Sequence, residues 1–348
     1  MNALITNNVF KIAIIDFYNQ DVGLKILFPE AEYFILQEEF DRSVVNSKYN
    51  IIPIVHNKNL NVFNHVINNN YDSIFIIAPL WDSISTYNNH VKPSFNVNTK
   101  QKLIDTINMI NCINCKNIFF VDNYDYDYDP NNIFMNDNFE HSIIINKNIR
   151  FFKRNFQKNK TYFTNVFPFP YITFGHNNII SIIDNLKYFN VNPNNRINRI
   201  FFSGNLFSHD CDMLNLHRDR IEIMNKISTK LKIYNPGSIT HETFMYELSK
   251  SKYCLDILGV GDPNTRTHEI LVSGSLKIAQ RSNLKWNFDD DFCEETFFDT
   301  ETDLLEKINR LENDADLYKK CLDKQNFIFF TYMNKLNLRN YILDKIID

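Results

Sequence analysis

Glycine is scarce in this sequence, with 7 in 348 residues, and no long basic or apolar run is present. The formal net charge is -4, so the chain lacks the usual electrostatic footprint of a nucleic-acid binder, and we expect no nucleic-acid partner. No apolar stretch reaches the roughly 20 residues that a membrane-spanning helix needs. The N-terminal segment also lacks a basic region followed by a long apolar one. These absences predict a soluble, cytoplasmic protein.

Cysteine is sparse as well, and the 6 cysteines form no zinc pattern. Cys112 and Cys115 make a single CxxC, without the second pair or the histidines that a zinc site requires. Their segment is typical of the end of an amphipathic helix, so ordinary buried thiols are the simpler interpretation. We expect no metal ion and no cofactor, and any small molecule that binds should be a substrate.

Apolar residues are plentiful, and their spacing predicts an α/β fold. Short apolar runs such as KIAIID at 11–16, SIFIIAP at 73–79 and NIFFV at 117–121 alternate with helical segments. The same rhythm restarts at 199–203 and continues to 276–280. Strands that alternate with helices at this spacing form layered parallel sheets. No GxGxxG follows the first strand, which argues against a dehydrogenase.

The pattern predicts two Rossmann-like lobes with parallel sheets that face each other across a cleft. We expect an N-terminal lobe over 1–190 and a C-terminal lobe over 199–330, joined by an Asn- and Pro-containing linker. The last segment, 331–348, is amphipathic, and we expect it to form a helix that packs back on the N-terminal lobe. Such lobes bind ligands beyond the carboxyl ends of their strands.

The stretch from 258 to 280 holds the strongest chemical pattern. Gly259 and Gly261 let the backbone approach a ligand, and their loop leads into a helix N-terminus that offers N–H groups to an anion. Arg266 in the first turn opposes the helix dipole, so a diphosphate partner explains it better than helix stability does. Glu269 lies one turn further along the same face and suits a ribose diol. The alternative is an ordinary Arg–Glu pair on a solvated helix.

A second segment repeats this arrangement. Ser203 and Gly204 end the strand RIFFSGN, and Arg218 and Arg220 follow early in the next predicted helix. A guanidinium near a strand end suits a phosphate. The two arginines lie two residues apart on a helix, so we expect only one of them to face the ligand. Either one alone is equally well explained as a surface charge.

These segments together resemble the donor-binding lobe of GT-B glycosyltransferases, especially exostosin-like and group 1 families. The matching text is FFSGN at 201–205, HRDR at 217–220 and SKYCLDILGVGDPNTRTHEILVSGSLKIA at 251–279, within roughly the last 150 residues. The resemblance implies that Glu269 holds the nucleotide ribose and Arg266 the donor phosphate or sugar. It also implies that Tyr234 lies near the base.

One departure from the family leaves the stereochemistry open. Retaining members of one large GT-B family carry a second Glu eight residues before the ribose Glu, and Gly261 stands at that position here.

In GT-B enzymes the N-terminal lobe binds the acceptor and supplies any base. Asp122, after the strand NIFFV, is the first candidate base and Asp16 the second, because each follows a buried strand. Carboxylates at strand ends also often cap the next helix. Lys153 and Arg154 in FFKRN resemble a Lys-Arg pair that binds acceptor or diphosphate in related families, and the alternative is a solvated basic pair.

Two rival hypotheses stay open. Asp125 and Asp127 form a DxD, the motif with which GT-A glycosyltransferases hold Mn²⁺ or Mg²⁺ on the donor. That hypothesis leaves Arg266 and Glu269 unexplained. A non-catalytic nucleotide- or glycan-binding protein on the same fold is the other rival.

The sequence therefore predicts a metal-independent glycosyltransferase. The expected donor is a UDP- or GDP-sugar, and the expected acceptor is a hydroxyl of a glycan, protein or lipid. A homodimer is left open.

Overall fold

A computed structural model shows the architecture that these patterns produce. It describes residues 10–17, 22–36, 53–56, 60–78, 99–122, 149–154, 156–169, 192–203, 211–237, 239–258, 265–283, 285 and 292–347. The apolar run SIIIN at 142–146, which predicts a further strand, lies outside these residues.

Seven strands of the described residues form one all-parallel sheet in the first half of the chain. Their order across the sheet is β3-β2-β1-β4-β5-β6-β7, which matches the doubly wound Rossmann arrangement. Continuous apolar runs such as IAIID in β1 are buried along their whole length, as parallel strands covered on both faces should be. The strands are β1 (Ile12–Asp16), β2 (Glu32–Ile35), β3 (Ile54–Val55), β4 (Ser73–Ile77), β5 (Asn117–Asp122), β6 (Ile149–Lys153) and β7 (Val166–Pro168).

Stacked phenylalanine side chains connect the middle strands of this sheet. On one face Phe75, Phe119 and Phe152 stack in succession, with ring centroids 5.1 and 5.6 Å apart. On the other face Phe120 stacks on Phe151 at 5.8 Å. Aromatic pairs on neighbouring strands add about 0.2–1 kcal/mol each to sheet stability. The high phenylalanine content of the sequence is thus used to pin the register of β4, β5 and β6.

The second sheet is also parallel and contains five strands within the described residues. Its order is β12-β11-β10-β8-β9, so the connections change direction between β8 and β10. Ligands of such folds bind at the carboxyl ends of the strands beside that switch point. The strands are β8 (Ile197–Phe201), β9 (Ile233–Tyr234), β10 (Ser251–Asp256), β11 (Leu276–Gln280) and β12 (Phe297–Phe298).

Helices cover the sheets, and particular residues mark some of their ends. Thr240 caps one helix by accepting a hydrogen bond from the Thr243 backbone N–H at 3.3 Å, and Gly274, at φ +71°, follows the end of another. The helices are α1 (Val22–Leu27), α2 (Val62–Asn68), α3 (Thr99–Cys112), α4 (Cys211–Ser228), α5 (His241–Lys250), α6 (Thr265–Ser273), α7 (Glu301–Asn313), α8 (Ala315–Tyr332) and α9 (Lys335–Ile347). Cys115 is buried just beyond α3, whereas Cys112 at its end is exposed.

The chain divides into two compact units. One comprises Met1–Phe156, Lys160–Asn178 and Arg339–Asp348, and the other comprises Gln157–Asn159 and Ile179–Leu338. The predicted linker therefore lies within the second unit. Arg196 attaches this segment to the second unit. Its guanidinium is buried, and Nη2 donates a hydrogen bond to the Ser273 carbonyl at 3.1 Å.

Most of the last helix, α9, belongs to the first unit. Arg339 donates to the Leu27 carbonyl at 2.7 Å and pairs with Glu30. Tyr341 donates its hydroxyl to the Pro168 carbonyl at 2.7 Å. Within the described part of the chain, no helix is long and apolar enough to cross a membrane.

Candidate functional site

The switch point of the second sheet brings β10 and α6 together through a pair of polar side chains. Asp256, the last residue of β10, accepts a hydrogen bond on Oδ2 from the Thr267 hydroxyl at 2.7 Å. This bond anchors the first turn of α6 to the end of the strand. The other oxygen, Oδ1, is buried and has no hydrogen-bond partner among the described residues. Asp256 thus combines a structural bond with an acceptor atom left for another donor.

Cys254 lies two residues earlier on the same strand. Burial, reinforced by the nearby Asp256 carboxylate, raises the pKa of this thiol well above its ordinary value. A protonated, fully buried thiol is a poor nucleophile. Cys254 is therefore part of the core, and the chemistry of the site depends on the oxygen and nitrogen groups around it.

Glu269 on α6 is paired with a residue of a neighbouring helix. His241, the first residue of α5, places Nε2 2.9 Å from Oε1 of Glu269. The Glu269 side chain is 10% exposed and that of His241 is 37% exposed. An almost buried carboxylate with a histidine partner differs from the solvated Arg–Glu pair that was the alternative interpretation.

Arg266 lies in the first turn of α6 and faces the end of β8. Its guanidinium carbon is 5.5 Å from the ring centroid of Phe202, the residue that follows β8. Ser203, next along the chain, is partly buried. The structure therefore brings the N-terminus of α6 and the end of β8 together.

Arg220 is bound to the backbone beyond β10. Its Nε donates to the Leu258 carbonyl at 2.8 Å, and the Leu258 N–H donates to Oε1 of Gln280 at 3.2 Å. The expectation that Arg218 and Arg220 lie early in their helix is wrong, because α4 already begins at Cys211. Arg220 instead helps fix the start of the loop that leads to α6.

Tyr234, at the end of β9, belongs to an aromatic group beside β8. Its ring centroid lies 6.0 Å from that of Phe201 and 4.1 Å from the guanidinium carbon of Arg199. Phe201 also contacts Phe244 of α5 at 5.5 Å. This group lies next to His241, whose ring stacks on Phe244 at 6.1 Å.

Several predicted site residues cannot be placed. Gly204, Gly259 and Gly261 lie outside the described residues, as do Asp125 and Asp127 of the DxD. Of Arg218 only the helical backbone is described.

In the first unit, Asp16 lies at the switch point between β1 and β4. Its side chain is fully buried, and Oδ2 accepts a hydrogen bond from the Tyr33 hydroxyl at 2.8 Å. The neighbouring Phe17 N–H donates to the Ile77 carbonyl at 3.1 Å, which fixes the backbone beside the carboxylate. Asp16 is therefore a rigidly held carboxylate at the sheet edge where ligands of this topology bind.

Asp122 and Lys153 end the neighbouring strands β5 and β6 and pair with each other. Lys153 Nζ lies 2.9 Å from Oδ2 of Asp122, and both side chains are fully buried. The Arg154 N–H donates to the Asp122 carbonyl at 2.9 Å. Because the ammonium neutralises the carboxylate, Asp122 has a weaker case as a proton acceptor than Asp16. Lys153 and Arg154 are also buried, so they do not form a solvated basic pair.

Among the described residues, no three His, Cys, Asp or Glu side chains gather in a way that could hold a metal ion.

Sequence reasoning missed His241, Asp256 and Gln280. Asp256 carried a signal, since it is a carboxylate at the end of a buried strand just before a glycine loop. His241 carried none, because its partner Glu269 is 28 residues away and on another helix.

No protein-family model and no curated protein matches the sequence. Solved structures do. The DNA-modifying enzyme beta-glucosyltransferase, with and without uridine diphosphoglucose, is 14% identical at a TM-score of 0.51, over 97% of this chain and 100% of that chain. An alpha-glucosyltransferase in complex with UDP-glucose and DNA containing an abasic site is 14% identical at a TM-score of 0.50, over 97% and 99%. T4 phage BGT in complex with UDP and Mn²⁺ is 12% identical at a TM-score of 0.49, over 97% of this chain and 99% of that chain.

The likeness to the first two structures concerns the fold, and it covers nearly the whole chain. This chain has the GT-B glycosyltransferase fold, with two parallel α/β sheets. The resemblance predicted from the sequence is thereby confirmed at the level of the fold. The GT-A fold that the rival DxD hypothesis required is wrong for this chain.

Proposed function

We propose that this protein is a glycosyltransferase that moves a sugar from a UDP- or GDP-sugar to an acceptor hydroxyl without a metal ion. The observation that carries the proposal is α6 at the switch point of the second sheet. It presents Arg266 in its first turn and a nearly buried Glu269 held by His241. The names of two solved neighbours with the same fold, which include UDP-glucose, favour a uridine donor.

In this proposal Glu269 accepts hydrogen bonds from the ribose diol, and Tyr234 lies beside the base. Arg266 and the N-terminal N–H groups of α6 bind the diphosphate. When the bond between the sugar C1 and the diphosphate breaks, negative charge grows on the leaving phosphate. A guanidinium and helix N–H groups that are already in place stabilise that charge.

The acceptor hydroxyl must lose its proton as its oxygen bonds to C1. Asp16 is the proposed base, since a carboxylate within reach contributes about 10²- to 10⁴-fold to such a step. Asp122 is the second candidate because of its ion pair with Lys153. The stereochemical outcome follows from where the acceptor binds, and is left open.

A glycan, protein or lipid hydroxyl is the proposed acceptor. DNA is the second candidate, because the name of one neighbour describes a complex with DNA. Ordinary duplex DNA offers no hydroxyl except at its ends, so a DNA acceptor would need a hydroxyl on its bases. The net charge of -4 argues against DNA. The homodimer and the cytoplasmic location remain predictions.

The test is a thermal-shift screen of UDP-, GDP-, CMP- and dTDP-sugars, with and without EDTA, followed by transfer assays with the stabilising donor. A ligand that binds only the folded state raises the melting temperature. Stabilisation and turnover that survive EDTA would support the proposal. Turnover only with Mn²⁺ would contradict metal independence. Binding without turnover on glycan, protein, lipid or base-hydroxylated DNA would favour a non-catalytic binding protein, and no binding by any donor would overturn the donor site.

A further inference from the structure

The contact between His241 and Glu269 joins two helices whose starts lie at the same edge of the second sheet. His241 is the first residue of α5, and Thr240 before it caps that helix. Glu269 lies in the middle of α6, one turn after Arg266. The 2.9 Å contact between Nε2 and Oε1 therefore fixes the Glu269 side chain from outside its own helix.

The imidazole is itself held in place. Its ring stacks on Phe244 at an interplanar angle of 21°, and Phe244 is buried against Phe201 of β8. An ionised carboxylate only accepts hydrogen bonds, so His241 must be the donor through Nε2–H. Stacking on Phe244 favours one plane of the ring, and in that plane Nε2 faces Glu269. The contact therefore orients the Glu269 side chain.

A carboxylate that already accepts one hydrogen bond can still accept hydrogen bonds from other donors. Its two oxygens offer about four lone-pair sites, so His241 and a ribose diol can be accommodated together. A site built to accept a hydrogen bond from a substrate hydroxyl rejects an analogue that lacks it, because the nearly buried acceptor is then left unpaired. Orientation by His241 makes this penalty larger, since turning Glu269 towards another donor would break the 2.9 Å contact with Nε2.

We infer that His241 is a positioning residue that aims Glu269 at the ribose and makes this site selective for ribonucleoside over 2′-deoxyribonucleoside diphosphate donors. The inference rests on the proposed function, in which Glu269 binds the ribose. Within the proposed donor class, it disfavours deoxyribonucleotide donors such as dTDP-sugars, and it leaves the choice of base to other contacts.

The test measures dissociation constants by calorimetry for UDP, 2′-deoxy-UDP, GDP, 2′-deoxy-GDP and pyrophosphate on the full chain. For the base that binds, wild type should prefer the ribonucleotide by about tenfold or more, as expected for one well-formed hydrogen bond to a charged group. His241→Phe keeps the ring on Phe244 but removes the donor, and should reduce that preference to about threefold or less. His241→Gln, which can still donate to Glu269, should restore most of the preference. Pyrophosphate affinity should stay the same in all three proteins.

His65→Phe is the matched control. His65 makes a similar contact with Glu32 in the first unit, at 3.4 Å, so this variant removes a histidine–carboxylate contact away from the second sheet. It should leave every dissociation constant unchanged. If His241→Phe fails to fold, His241→Asn replaces it, because its shorter side chain cannot reach Glu269.

An unchanged ribonucleotide preference in folded His241→Phe or His241→Asn would overturn the inference. Glu269→Ala separates that outcome from failure of the proposed function. If Glu269→Ala abolishes the preference and the His241 variants keep it, only the positioning role fails. If Glu269→Ala binds UDP and GDP as wild type does, or wild type binds neither, the proposed ribose site itself fails.

Discussion

Lys153 and Asp122 are register partners at the ends of two central strands, and their side chains form a fully buried ion pair at 2.9 Å. Burial of two charges is costly, and their mutual attraction offsets that cost only while both are present. The pair therefore matters most when one member is removed.

Lys153→Met should destabilise the chain by about 3–5 kcal/mol, because it removes the Lys153 counter-charge from the buried Asp122 carboxylate. The double variant Lys153→Met with Asp122→Asn should regain most of this loss, since it removes both charges of the buried pair. Urea titration of the full chain measures the free energy of unfolding. Lys226→Met, which removes the exposed partner of Glu301, is the control and should not move the urea midpoint. Equal stability of wild type and Lys153→Met would contradict this account of the pair.

Glu269→Ala should weaken UDP or GDP binding by more than tenfold without unfolding the protein. The loss of an acceptor for two ribose hydroxyls, about 1.5–3 kcal/mol for each bond to a charged group, is ample for this change. Calorimetry gives the affinity and a melting curve reports folding. Glu306→Ala, an exposed carboxylate on α7 of the same unit, should bind as wild type does. An unchanged affinity in Glu269→Ala would remove the ribose assignment.

Local sequence patterns predicted most of the regular structure. The strand Leu276–Gln280 has the same bounds in the sequence prediction and in the structure, and the helix predicted within 331–348 spans Lys335–Ile347. Their apolar periodicity is complete within the segment, so no distant residue is needed to define them. By contrast, α4 begins at Cys211, about two turns before Arg218. The sequence pattern missed its first turns because they carry Asp and Asn, which are typical of loops.

The partners of the site residues could not be predicted in the same way. His241 meets Glu269, and Gln280 meets Leu258, only because α5, β10 and β11 pack together in three dimensions. Lys153 and Asp122 pair because β5 and β6 are neighbours in register, and the sequence does not specify strand order. Residue types at strand ends thus predicted candidate site positions, and the tertiary fold decided which of those groups pair with each other.

Asp16→Asn should lower the turnover number by about 10²- to 10⁴-fold while the nucleotide dissociation constant stays within about twofold of wild type. Asparagine keeps the shape of the side chain and can still accept the hydrogen bond from Tyr33, but it cannot take a proton. Steady-state kinetics with saturating donor measure the change. Tyr33→Phe serves as the comparison, since it removes the hydrogen bond and keeps the carboxylate, and it should retain most activity. Near-normal turnover in Asp16→Asn, with a large loss in Asp122→Asn, would assign the base to Asp122 instead.

The pairing of Glu30 with Arg339 should make the attachment of α9 sensitive to acid. Partial burial alone would raise the pKa of Glu30, but the hydrogen bonds and charge of Arg339 outweigh it, so the pKa lies below its ordinary value of 4.5. A lowered folded-state pKa means that the stabilisation is fully present above 4.5 and disappears as the pH falls through the folded-state value.

Glu30→Gln cannot titrate. We therefore expect wild type to melt above Glu30→Gln at neutral pH and the two melting temperatures to converge in acid. A difference that persists unchanged at low pH would show that packing of the Glu30 side chain, rather than its charge, stabilises the helix. Arg339→Met should reproduce the neutral-pH loss, and it should also weaken the contact with the Leu27 carbonyl, so its melting temperature should stay below that of wild type even in acid.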